Sequence, residues 1–263
     1  ETKKTLILVG VFGFLAITLM GSRLAMRKVR EQKFNLSDYL TMVAIFCMFG
    51  RTAFTTVVLL WQNNNMTEAF RASHTFTNEE IYQRVVGGKL TLVNRVVYNI
   101  YIWIQKSVVL LLYHRLLSGL PWPERIIKVY WVILFVTMVP VQVSCFTECH
   151  PFHLYWQVVP DPGKCSEAVV QLYVLVALNI LTDVLLILLP LPWLLRIKRS
   201  LWQRLQLVGL FSIGIALVII AICRLPIYGS GTSQVNRNTL GSIEGFFAAF
   251  VANVPTLVTL RRR

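Results

Sequence analysis

Asp183 lies in NILTDVLLILLPLP (residues 179–192), a stretch whose other side chains are almost all apolar. Asn179 precedes it by four positions and so shares its helical face. A second apolar block holds Arg95, Asn99 and Lys106, again at helical spacing, with Tyr98, Trp103 and Gln105 alongside. Arg51 falls midway through a third block. Arg224 closes another in CRLP, and Glu244 opens the last in SIEGFF, with Asn253 further along. These residue types suit acid–base and electrostatic chemistry. A carboxylate can move a proton or orient a cation, and a lysine or arginine can polarise a carbonyl. The spacing therefore nominates Asp183, Lys106, Arg51 and Glu244 for chemistry. Arg95, Asn99, Trp103, Asn179, Arg224 and Tyr98 are nominated for substrate binding. Lys106 or Arg51 is the expected counterpart of Asp183. Four basic side chains against two acids would suit a carboxylate or carbonyl on an otherwise apolar guest. The architectural alternative stands beside this: a structural ion pair for Asp183 or Arg51, and snorkelling of Lys106, Arg95 or Arg224 toward an interface.

The elements that would position these groups are read from composition. The 263 residues are 56% hydrophobic and only 14% charged, where soluble domains are about a quarter charged. Mean hydropathy is +0.61. The formal net charge of +14 would point to nucleic acid in a soluble chain. Here the basic residues cluster at the ends of apolar blocks, which points to a lipid bilayer as partner and not to nucleic acid. Seven spans are predicted, near Thr5–Ala25, Tyr39–Trp61, Lys89–Leu116, Ile127–Phe146, Ala168–Leu195, Leu205–Ile227 and Leu240–Leu260. Arg23, Arg27, Lys28 and Arg30 follow the first span. His114, Arg115, Arg125 and Lys128, then residues 196–199 with Arg204, then Arg261, Arg262 and Arg263 fall on the same side. The expected fold is thus one all-α domain over 1–263, a seven-transmembrane-helix bundle with its amino terminus outside or lumenal and its carboxyl terminus cytosolic. Pro190 and Pro192 should end the fifth helix near the inner face, and Pro226 and Pro255 should act similarly in the sixth and seventh. The loop after Trp61 has room for a short amphipathic helix or lid.

The expected outer loop ECHPFHLYWQVVPDPGKC (148–165) places Cys149 and Cys165 in an oxidising compartment, with Cys145 as a competing partner. Asn65 begins an outside glycosylation sequon, NMT. His150 and His153 have too few companions for a metal site, and no glycine-rich nucleotide motif is present, so no cofactor and no metal are expected.

Several stretches, in order, resemble the fungal rhodopsin-like seven-helix family. They are QKSVVLLLYHRLL (105–117), ECHPFHLYW (148–156) with GKC (163–165), NILTDVLLILLPLPWLLRIK (179–198), FSIGIALVIIAICR (211–224) and SIEGFFAAFVANVPTLVTLRRR (242–263). Matching positions include Lys106, Cys149, Cys165, Asn179, Asp183, Pro190, Arg224, Glu244 and Pro255. SDYL (37–40) departs from the pattern, with Tyr39 where the family often has a second acid. That family includes receptor-like proteins with an extracellular CFEM domain and compact members encoded in mycotoxin and terpenoid gene clusters. Retinal is not expected, since Leu240–Leu260 offers no lysine for a Schiff base. The sequence stops three residues after the last span and carries no CFEM domain, a layout like the compact members. The resemblance then implies a membrane-embedded, cofactor-free biosynthetic enzyme acting on a terpenoid- or polyketide-like substrate. The reaction would be cyclisation, isomerisation or a pericyclic step of the Diels–Alder type, in the endoplasmic reticulum, another endomembrane or the plasma membrane. The alternative is a receptor of the GPCR-like seven-helix type for a small outside ligand. A transporter or scaffold is third.

Overall fold

The computed structural model describes residues 2–66, 68–117, 123–191, 214–215, 218–222 and 234–262. Its principal elements are α1 (Thr2–Val29), α2 (Leu36–Trp61), the short α3 (Glu68–Ser73), α4 (Asn78–Leu117), α5 (Pro123–Thr147), α6 (Val169–Leu188) and α7 (Gln234–Arg262). Two 3-10 turns, Phe152–Tyr155 and Lys164–Glu167, shape the loop between α5 and α6. No strand occurs among the described residues. Among the described residues, six helices, all of the above but α3, are long and apolar enough to cross a bilayer. Their outward faces carry Phe14, Phe46, Phe49 and Phe135, all strongly exposed. In water such a belt would be an aggregation liability; in a bilayer it meets acyl chains. Most of the sixth predicted span, with Arg224, Pro226 and Cys223, lies outside the described residues, as do Pro192 and the basic run 196–199.

α1 packs on α2 and α7, α2 on α4, α4 on α5, and α5 on α6, while α4 also reaches α6 and α7 across the interior. α4 is therefore the central post, and the main core gathers on it: Tyr98, Tyr101, Trp103, Val108 and Leu110 meet Met20, Met48 and Ala249. The predicted third span started at Lys89. The helix instead starts at Asn78 and has 40 residues, about 60 Å of rise against roughly 30 Å of hydrocarbon. Its first turns, rich in Glu and Arg, thus stand clear of the lipid.

Those outer turns are held by close backbone approaches. A Cβ on Gly87 would fall 1.8 Å from the Gln62 carbonyl oxygen, and one on Gly88 2.9 Å from the Trp156 Cα. The loop after Trp61 does hold a short helix, α3. Arg71 on it donates to the carbonyls of Val158 and Asn64, and Asn64 Nδ2 donates to those of Tyr155 and Gln157, both at 3.1 Å. Cys149 and Cys165 form the disulfide. Cys145 stays free and buried. The Tyr155 hydroxyl accepts from the Glu148 and Cys149 amides. The Glu148 carboxylate in turn accepts from the amides of Val170 and Gln171, at 3.0 and 3.2 Å, capping α6. Asn65 is half-buried in this cap, its backbone N–H donating to Asn63 Oδ1.

At the other end, the basic cluster after the first span is partly interior. Arg23 and Asp38 are both fully buried and paired at 3.1 Å. Arg27 meets the other Asp38 oxygen at 3.1 Å, which also accepts the Asn35 amide and so closes the start of α2. Arg23 further donates to Asn253 Oδ1 at 3.0 Å and to the Ser37 hydroxyl. Arg23 thus joins α1 to Asp38 on α2 and to Asn253 on α7. α6 ends at Leu188, just before Pro190, as expected. Pro255 differs: it lies inside α7, which continues to Arg262. Lacking an N–H, it leaves the carbonyl four residues back without its helical donor, but the remaining bonds carry the helix through.

Candidate functional site

Lys106 lies on α4, Asn179 and Asp183 on α6 and Glu244 on α7, and α4 packs on both α6 and α7. The polar residues then meet at mid-bundle because they occupy the shared faces. Lys106 Nζ lies 2.5 Å from Asp183 Oδ1, 2.8 Å from the Thr182 hydroxyl and 2.9 Å from the Asn179 carbonyl. An ammonium has three hydrogens, so α6 accepts all of them. Thr182, three residues after Asn179, is a member that the sequence reading passed over; its i+3 spacing was the available signal. Asn179 Nδ2 donates to Glu244 Oε1 at 2.8 Å, and the Tyr98 hydroxyl donates to Glu244 Oε2 at 2.5 Å. The Arg51 guanidinium lies 4.5 Å from the centre of the Tyr98 ring, within cation–π range. Tyr101 donates to the Gly245 carbonyl at 2.8 Å. A Cβ on Gly245 would sit 3.2 Å from the Met48 methyl carbon and 3.8 Å from an Arg51 nitrogen, so the glycine lets α7 approach α2 and α4 here.

One polar chain, Arg51–Tyr98–Glu244–Asn179–Lys106–Asp183, therefore crosses α2, α4, α7 and α6. Arg51 stands about 15 Å along α2 from Trp61 and so lies deep within that helix, whereas Asp183 stands about 21 Å along α6 from Val169 and about 8 Å from Leu188. Lys106 does not snorkel; it is buried against α6. Beside Lys106, Asp183 and Glu244 opens a small, half-open cleft of about 50 Å³. Its walls are Ile102, Val109, Leu186, Ile187, Ala248 and Val251, and its polar edge adds Gln105, Tyr113 and Asn179. Gly214 lines it too, close against Ile187.

Other nominated residues go elsewhere. Asn99 Nδ2 contacts Cys145 Sγ at 3.3 Å on α5, and Trp103 Nε1 donates to Thr137 on α5 at 3.2 Å. Trp103 borders a separate apolar groove between α4 and α5. Arg95 is half-buried and makes no hydrogen bond or ion pair among the described residues. The expected stripe of Arg95, Asn99 and Lys106 is thus split between partners, because a long helix at the bundle centre meets different neighbours at different heights. Arg224 lies outside the described residues. The polar chain from Arg51 to Asp183 has two bases, Arg51 and Lys106, and two acids, Asp183 and Glu244.

No group of three or more His, Cys, Asp or Glu side chains with metal-binding geometry occurs among the described residues. A family model described as the fungal rhodopsin domain matches residues 22–263. No curated protein and no solved structure matches the chain significantly.

Proposed function

The chain belongs to the fungal rhodopsin domain family, and from that premise we propose that it is a membrane-embedded enzyme that needs no cofactor. Its substrate is an apolar small molecule of terpenoid or polyketide type, held in the cleft between α4, α6 and α7. The architecture proposed is a seven-helix bundle, its sixth crossing running through residues 205–227, with the amino terminus outside or lumenal and the carboxyl terminus in the cytosol. An endomembrane such as the endoplasmic reticulum is its proposed home.

The observation that carries this reading is the sharing of one apolar-walled cleft by two carboxylates, Asp183 and Glu244, and one ammonium, Lys106. An apolar guest would lose water on entry and be folded against those walls, which favours an intramolecular reaction by holding its ends together. A carboxylate at the wall would then accept or return a proton as bonds rearrange. Lys106 is a positioning residue here, since its hydrogens are committed to α6 and it sets the orientation of the Asp183 carboxylate. The reaction class is a cyclisation, isomerisation or pericyclic step, in which the product is an isomer of the substrate and no oxidant or reductant is consumed. Co-expression with candidate pathway intermediates tests this. A new isomer of unchanged mass supports the enzyme, and intermediates left unchanged beyond the background rate refute it.

One observation favours a second reading. The polar chain from Arg51 to Asp183 ties four helices through the bundle centre, the kind of link that a ligand-gated receptor breaks when it changes state. Ligand-dependent G-protein activation by the intact chain would establish that reading over the first.

A further inference from the structure

We infer that the cleft takes its guest through a hydrogen-bond donor on the guest, an alcohol or an amine on an apolar body, and not through a carbonyl or carboxylate. This rests on the reading of the cleft as a ligand site, and it follows from what each polar side chain has left to offer.

The donors are already engaged. Lys106 gives its three hydrogens to Asp183 Oδ1, the Thr182 hydroxyl and the Asn179 carbonyl. The Asn179 amide nitrogen faces Glu244 Oε1 at 2.8 Å. A carboxylate only accepts, so this contact fixes which end of the amide is oxygen. Gln105 Nε2 is turned to the Met20 sulfur at 3.2 Å. Both Glu244 oxygens accept from protein donors, Asn179 and Tyr98.

What remains is a set of acceptors. Asn179 Oδ1 and Gln105 Oε1 are buried and have no hydrogen-bond partner among the described residues. The residues that carry them are 4% and 2% exposed, and both border the cleft. Asp183 Oδ2 accepts no hydrogen bond among the described residues either, since Lys106 engages Oδ1. Buried oxygens without donors cost free energy, and in native proteins each one calls for a water, an ion or a ligand. A hydroxyl or amine supplies the missing hydrogen at Asp183 Oδ2 directly, and at the two amide oxygens, which are closed off from the cleft as they stand, once their side chains turn toward the guest. A carbonyl or carboxylate would set a further acceptor against these three and raise the cost. Only the Tyr113 hydroxyl, among the described residues of the cleft, could serve such a guest as donor. The walls leave the rest of the molecule in apolar surroundings.

The test is equilibrium binding to the full chain in lipid nanodiscs, corrected for partition into empty nanodiscs. The probes are a matched ten-carbon isoprenoid set: alcohol, amine, aldehyde and acid. The alcohol or the amine is expected to bind at least about tenfold more tightly than the aldehyde and the acid. In Gln105→Leu, which removes one free oxygen and leaves the Lys106 and Glu244 ties in place, that ratio should fall by about threefold or more. Aldehyde or acid binding as tightly as the alcohol, no binding by any of the four, or an unchanged ratio in Gln105→Leu overturns the inference. Binding is read without turnover. A donor preference with no conversion sinks the enzyme and keeps this inference; conversion of carbonyl guests with no such preference does the reverse.

Discussion

Replacing Lys106 with methionine separates an architectural tie from a dispensable charge. The Lys106 and Asp183 side chains are only 6% and 13% exposed. Methionine keeps most of the volume of the lysine stem and removes the ammonium. Asp183 then faces an apolar interior without its partner, and the Asn179 carbonyl and Thr182 oxygen lose a donor. Breaking one side of a buried pair costs about 3–5 kcal/mol, equivalent to a fall of roughly 6–20 °C in melting temperature for a chain of this size. The pair Lys106→Met with Asp183→Leu removes both charges and should recover most of that loss, because two matched apolar groups leave nothing uncompensated. Thermal unfolding of wild type, both single variants and the double variant in one nanodisc preparation closes the cycle, with an expected coupling of about 4–8 kcal/mol. A Lys106→Met melting temperature within about 1 °C of wild type would refute the reasoning, as would additive losses in the double variant.

Asp38→Asn should lower stability by about 3–5 kcal/mol, because Arg23 and Arg27 lose the acid they share; melting curves read this directly. Gly87→Ala should abolish the folded, monodisperse protein on size-exclusion chromatography, since its Cβ would collide with the Gln62 carbonyl. Gly21→Ala, with nothing within 4 Å of the added carbon, should be neutral or stabilising by up to about 1 kcal/mol. Cys149→Ser should loosen the outer cap, seen as faster proteolysis between α5 and α6, and should lower stability by about 2–4 kcal/mol. Wild type should show no labelling of the buried Cys145 by a bulky maleimide before unfolding.

The sequence made the helices legible because lipid demands long apolar runs, and six of the predicted spans overlap the observed membrane-length helices. It also singled out Asp183 and named Lys106 as a counterpart, since a mid-membrane acid needs a base. The length of α4 was less visible. Its outer turns carry no apolar run, and what pins them is tertiary: two glycines against Gln62 and Trp156. Arg23 and Arg27 were read as marks of the cytosolic side. Their interior role depends on Asp38 arriving from the next helix, and composition gives no sign of such a pairing. Helical spacing correctly put Arg95, Asn99 and Lys106 on one stripe of α4. It could not reveal that this stripe faces Cys145 at one height and Asp183 at another. The direction in which Asn179 and Gln105 present their amides is likewise fixed only by neighbours on α7 and α1.

The most direct test of the proposed enzyme is turnover by purified chain in lipid nanodiscs, with candidate apolar substrates and with product isomers resolved at unchanged mass. Glu244→Gln keeps hydrogen-bonding capacity toward Asn179 and Tyr98 while removing a carboxylate, and Asp183→Asn removes the other; both are assayed below their melting temperatures. The expected result is isomer formation by wild type, reduced by about 100-fold or more in at least one of the two variants. Wild type converting nothing beyond empty nanodiscs, or both variants turning over at the wild-type rate, would contradict a catalytic role for the cleft.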